Sequence, residues 1–197
     1  MKYTIITTFL VVLTASIGFA GNLRSETINP DVTKIEVGQE LYNQITHPAE
    51  YCLAQNIYYE SRTDNIAGQA AVADVVLNRV LDERWPDNIC DVIYQGPKYE
   101  SWNTKKDPNL SDEERIYFPV RNRCQFSWYC DGKPDQPRNE DAWRKAQELA
   151  YQMIHFRKFR GISEGSTHYH ATYVNPKWNR NMRMIGRIGL HIFYVQR

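Results

Sequence analysis

The chain has 197 residues, of which 42% are hydrophobic, 13% aromatic and 24% charged, with a formal net charge of +1. That length fits a single domain, the aromatic content excludes a disordered chain, and the near-neutral balance gives no support to nucleic-acid binding. Five Trp and thirteen Tyr residues either fill a core or line a groove for sugar rings, whose C–H faces are apolar.

Met1 and Lys2 precede an uncharged, mostly apolar run that reaches Leu23. Gly18 and Ala20 supply the small residues of a signal-peptide cleavage site, so residues 1–20 are expected to be a signal peptide. The alternative is an uncleaved membrane anchor. Either way the body of the protein is exported, to the periplasm or outside the cell, and no stable membrane span is expected once the signal is cleaved. Residues 21–45 are polar, are broken at Asn29-Pro30-Asp31, and are expected to form a linker or arm before a domain over 46–197. Residues 155–197 carry eight bases against one acid, Glu164. This basic part either faces an anionic polymer or pairs with the acidic part of the chain.

Thr46 as N-cap with Pro48 in the first turn predicts a helix start. Leu53, Ala54, Ile57 and Tyr58 continue it at helical spacing to an end near Ser61–Asp64. Ile66 to Glu83 is apolar almost all round and predicts a buried central helix. Its small residues Ala67, Gly68, Ala70 and Ala71 would admit another helix closely. Residues 86–140 hold six prolines, and a long loop-rich stretch of this kind is usually functional. Short helices are expected around Ile89–Tyr94 and Asp112–Tyr117. Asn139-Glu140-Asp141 opens a third long helix, with Trp143, Ala146, Leu149, Ala150, Met153 and Ile154 as its apolar face and an end near Gly161. Thr167 to Val174 alternates, and Leu190 to Val195 is a second strand candidate, so an antiparallel pair is expected. The predicted class is α+β, mainly helical with a small antiparallel sheet.

Cys52, Cys90, Cys124 and Cys130 make an even count in an exported chain, which predicts disulfides. Cys124 and Cys130 enclose a short loop and are natural partners, leaving Cys52 with Cys90. A zinc site is the competitor, but the spacing matches no zinc-knuckle pattern.

Glu60 follows two tyrosines at a helix end, where a carboxylate can be half-buried. Burial raises its pKa and keeps it able to donate a proton. Glycosidic bonds need such a donor. Taken alone, one glutamate at such a place is better read as a surface helix residue. His168 and His170 alternate on one strand and share a face, which with His191 invites a metal reading. Asn78 and Arg79 in the central helix need partners inside the protein and are expected to be structural.

The run from Cys52 through Tyr58-Tyr59-Glu60-Ser61-Arg62 and on from Gly68 to Val80 resembles the cell-wall hydrolase family of spore-cortex-lytic enzymes (SleB/CwlJ type). Pro86–Tyr94, Cys124–Gly132, Gly165–Ala171, Val174–Trp178 and Ile188–Tyr194 match further blocks, so the resemblance covers roughly residues 50–195. It implies a lysozyme-like fold and cleavage between N-acetylmuramic acid and N-acetylglucosamine, in many members as a lytic transglycosylase. Glu60 would then be the catalytic acid, peptidoglycan the partner, the chain a monomer, and no metal or cofactor would be required. Expected substrate contacts are Tyr58, Gln125, Phe126, Ser127, Trp128, His168, Tyr169 and His170. Gln125 and Ser127 would bond the N-acetyl groups, Phe126 and Trp128 would stack on sugar or fill core, and the histidines would bond in the cleft floor. This chain has Ser61-Arg62-Thr63-Asp64 where many members have Ala-Arg-Gly-Glu. Asp64 is therefore a candidate second carboxylate, which would permit ordinary hydrolysis. The rival readings are a zinc hydrolase built on His168, His170 and His191, and a wall-binding protein without activity.

Overall fold

The computed structural model describes residues 43–196. The expected signal peptide and nearly all of the arm lie outside the described residues. Helix α1 spans Pro48–Ser61, α2 Ile66–Val80, α3 Ile89–Ile93, α4 Trp102–Lys105 and α5 Glu140–His155. Strands β1 (Lys98–Glu100) and β2 (Tyr117–Pro119) pair antiparallel. Strands β3 (His168–Ala171), β4 (Met182–Ile188) and β5 (His191–Gln196) form an antiparallel sheet in the order β3-β5-β4. The fold is α+β. Among the described residues no helix is long and apolar enough to cross a membrane.

Helix α1 starts at Pro48, but its N-cap is His47 rather than Thr46. Thr46 is instead held by Asn43, whose Oδ1 accepts from its N–H at 2.9 Å and its hydroxyl at 3.1 Å. Asn65 caps α2 by accepting from the Gly68 N–H, and Asn139 caps α5 by accepting from the Ala142 N–H, both at 2.9 Å. Helix α2 stops at Val80 and α5 at His155, short of the expected Glu83 and Gly161. Arg157, Phe159 and Glu164 have positive φ, so the chain beyond α5 winds through left-handed turns that a helix does not tolerate.

Helix α2 is the centre of the molecule. Ala70, Ala73 and Val76 pack with Leu53 and Ile57 of α1, Ile93 of α3, and Leu149 and Met153 of α5. Ala71, Val72 and Val75, on another face, pack on Phe193 of β5. Burying both faces is what its all-round apolar sequence requires. The expected helix over Asp112–Tyr117 is only a 3-10 turn, Asp112–Glu114, capped reciprocally by Ser111 and Glu114. Tyr117 passes into β2. Disulfides join Cys52 to Cys90, tying α1 to α3, and Cys124 to Cys130 across the loop before α5.

Candidate active site

Glu60 lies in the last turn of α1, and Tyr169 of β3 donates its hydroxyl to Glu60 Oε2 at 3.2 Å. Burial raises the Glu60 pKa, and the Tyr169 bond and the charge of Arg79 pull partly against it. The helix end works with burial, because its carbonyls disfavour negative charge and the last turn carries no base. The phenol is itself pushed well above its ordinary value by burial, so it stays a donor. The result is a carboxyl group that holds its proton more tightly than an exposed glutamate does, with one oxygen fixed by a neutral partner.

Arg79 supplies the nearby cation from the last turn of α2. It is 3% exposed, and its guanidinium is held at 4.2 Å from the Trp85 ring centre and 5.4 Å from that of Phe126. Its Nε donates to the Thr167 carbonyl at 2.8 Å. With its amide oxygen turned to the guanidinium, Gln125 accepts from both terminal nitrogens at 3.1 and 3.2 Å. Burial lowers the Arg79 pKa to about 10, which leaves it charged at neutral pH. Sequence reasoning assigned Arg79 a structural part only. The signal for more was a cation inside an otherwise apolar helix. Its neighbour Asn78 is structural, bonding Ser163 Oγ at 3.0 Å and the Ser166 carbonyl at 2.9 Å.

Asp64 does not join Glu60 as a free second carboxylate. Its side chain is 3% exposed. Oδ1 accepts from the Asn65 N–H and Oδ2 from the Leu190 N–H, each at 2.8 Å, and His191 Nδ1 is 3.3 Å away. A Cβ built on Gly68 or on Gly189 would come within 2.2 Å of its carboxylate. Gly68 at the start of α2 therefore makes room for Asp64, while Ala70 packs against α1 as expected of the small residues there. Asp64 bolts the β4–β5 turn to the head of α2.

The expected contact residues fall into two sets. In the segment 125–128, Gln125 and Ser127 are exposed, whereas Phe126 and Trp128 are 4% and 6% exposed. Phe126 packs into the core and against Arg79, the core-filling one of its two expected roles. Trp128 stacks on Tyr59 at 4.8 Å and donates to Asn56 Oδ1 at 3.2 Å. The Tyr58 hydroxyl is used by the N–H groups of Arg138 and Asn139, at 3.1 and 3.0 Å. On β3, alternation turns Tyr169 to Glu60 and places His168 and His170 on the other face, against Trp178 at 5.6 and 5.7 Å. Burial pushes His168 down to about 4, so it is neutral at working pH. His170 Nε2 is bonded to the Tyr194 hydroxyl at 2.9 Å. These two histidines therefore do not reach Glu60. Among the described residues no three His, Cys, Asp or Glu side chains gather to hold a metal ion.

The residues flanking Glu60 in α1, Tyr58, Tyr59 and Arg62, line a groove of about 420 Å³. Tyr58, Tyr59, Trp128 and Pro134 form its apolar wall, and Arg62, Asp131, Lys133, Asp135 and Arg138 its charged one. Tyr59 was missed from sequence, although it directly precedes Glu60.

Residues 63–194 match the cell wall hydrolase family, and the matched span begins just past Glu60. A spore cortex-lytic enzyme from Halalkalibacterium halodurans is 44% identical over 43 residues. That stretch is 22% of this chain, and the chain spans 13% of the length of that curated relative. Among solved structures, the catalytic domain of the germination-specific lytic transglycosylase SleB from Bacillus anthracis is 24% identical, with a TM-score of 0.50 over 80% of this chain and all of that one. The catalytic domain of SleB from Bacillus cereus is 25% identical over 78% of this chain and 92% of its own, with a TM-score of 0.47. The family match takes in both the central helix that carries Arg79 and the strand that carries Tyr169, and this chain belongs to the cell wall hydrolase family.

Proposed function

We propose that the protein cleaves the glycan strand of peptidoglycan between N-acetylmuramic acid and N-acetylglucosamine, as a lytic transglycosylase with Glu60 as acid and then base. The observation that carries this reading is one carboxyl group raised by burial and fixed by Tyr169, while the candidate second carboxylate, Asp64, is consumed by backbone bonds. Glu60 gives its proton to the leaving N-acetylglucosamine oxygen as the bond to the muramic C1 breaks. The carboxylate then takes the proton of the muramic 6-hydroxyl while that oxygen bonds to C1. The product is a 1,6-anhydro ring, no water is consumed, and Glu60 ends protonated as it began. Two-carboxylate glycosidases need a second acid placed across the bond. Arg79 sits where it can steady the carboxylate formed midway.

The test is mass spectrometry of fragments released from purified sacculi by the wild-type protein and by Glu60→Gln. Fragments ending in anhydro-muramic acid, lighter by one water than hydrolysed ones and absent with the variant, are expected. Reducing-end fragments would replace this reading with muramidase hydrolysis. Release that survives Glu60→Gln would remove Glu60 from the chemistry. No release by either protein would favour a wall-binding protein without activity.

A further inference from the structure

We infer that the groove lined by Tyr59 and Asp135 is a subsite for the peptide stem of the substrate, with Asp135 receiving a free ammonium group of that stem; this rests on the peptidoglycan reading above. The argument begins with how Asp135 is built in. Its main-chain carbonyl accepts from Gln55 Nε2 at 3.0 Å, and Gln55 is a buried residue of α1 whose Oε1 in turn accepts from the Tyr94 hydroxyl at 2.5 Å. A loop residue is thus pinned to the helix that carries Glu60. Its side chain is treated differently. Among the described residues the Asp135 carboxylate has no hydrogen bond and no ion pair, although the other loop acid, Asp131, is paired with Lys133 at 3.3 Å.

The surroundings of that carboxylate are aromatic and negative. Burial raises the pKa values of Tyr51, Tyr59, Tyr94 and Tyr129, and the negative charge of Asp135 adds to the rise in each. Burial, aided by Asp131, holds Asp135 itself up at about 6. The Tyr59 hydroxyl is buried without a partner. A half-buried carboxylate in a groove walled by Tyr58, Tyr59 and Trp128, with no ion pair of its own among the described residues, is complementary to an ammonium ion. Arg62, Lys133 and Arg138 line the same groove. A group bearing both an ammonium and a carboxylate, such as the free end of a stem diamino acid, matches both signs. The stem hangs from the muramic residue whose bond is cut, and Tyr59, which walls the groove, adjoins Glu60 in α1.

The experiment compares sacculi rich in free stem amines with the same sacculi N-acetylated. For the wild-type protein we expect fragment release to be faster from free-amine walls by about fivefold or more. Asp135→Asn should bring that ratio close to one, and Asp135→Glu should restore most of it, with unfolding temperatures excluding loss of fold. An equal rate on both walls, or a ratio that Asp135→Asn leaves unchanged, overturns the subsite. Co-sedimentation of the Glu60→Gln protein with both walls reads the subsite without cleavage. Weaker retention on acetylated walls is expected, and equal retention overturns it. Absent cleavage with this preference intact would sink the glycan reading alone.

Discussion

Glu60 and Tyr169 show how two residues far apart in sequence make one acid. In the proposed mechanism the carboxyl must be protonated when substrate arrives, so activity should fall as pH rises through the Glu60 pKa. The Tyr169 hydrogen bond favours the ionised form and holds that pKa down against burial. Tyr169→Phe deletes the bond, moves the Glu60 pKa further up, and should shift the alkaline limb of the rate profile to higher pH. The same change removes a favourable contact to the carboxylate formed midway, so the maximal rate should fall by about tenfold or more. A rate profile across pH separates these two effects. His168 gives no competing limb near neutrality, because burial keeps it neutral down to about 4. Glu60 was visible in the sequence through the block of residues around it. Tyr169 was expected to contact substrate and Arg79 to be structural, and their approach to Glu60 was not legible, because nothing in a linear sequence tells which face of a strand meets which helix end.

The legible elements were those with period and punctuation. Helices α1, α2 and α5 combine apolar recurrence with Pro48, Asn65 and Asn139 at their starts. Strand β4 was not legible. Its exposed Arg183, Met184 and Arg187 face water on a sheet edge, and a register shift between Met184 and Gly186 breaks the alternation. Strands β1 and β2 are three residues each and carry no period at all. The turns after α5 were hidden for another reason, since they are organised by a distant residue. Asp74 of α2, fully buried, accepts from the Gly161 and Ser163 N–H groups at 3.1 Å and from Ser163 Oγ at 2.6 Å, and pairs with Arg160. That bracket sets how the chain enters β3 and thus where Tyr169 points. Asp74→Ala would leave Arg160 and three donors without their acceptor. We expect a loss of about 3–5 kcal/mol in stability, or roughly 10 °C in the unfolding temperature. Thermal unfolding measures it, and a change below about 1 kcal/mol would show that the bracket is dispensable.

At the scale of the whole molecule, the candidate site is a junction. The end of α1 brings Glu60, the end of α2 brings Arg79, β3 brings Tyr169, and the loop between Cys124 and Cys130 brings Gln125 to the guanidinium. No single element holds the chemistry, so stability and activity should separate according to which tie is cut. The bond between Cys52 and Cys90 spans 38 positions and restrains the unfolded chain most. Its loss should cost up to about 4 kcal/mol. The bond between Cys124 and Cys130 spans 6 positions, so its loss costs only about 2 kcal/mol by the same argument. It does, however, shape the segment in which Gln125 reaches out while Phe126 and Trp128 anchor into the core. Replacing Cys52 and Cys90 by Ala should therefore lower the unfolding temperature strongly while the folded fraction keeps most of its turnover. Replacing Cys124 and Cys130 should do the reverse, with a smaller loss of stability and a larger loss of turnover per folded molecule. Denaturant unfolding paired with fragment release at low temperature measures both. Equal losses of turnover in the two double variants would mean that the loop is positioned by its buried aromatics alone, and that the short bridge adds nothing to the geometry around Arg79.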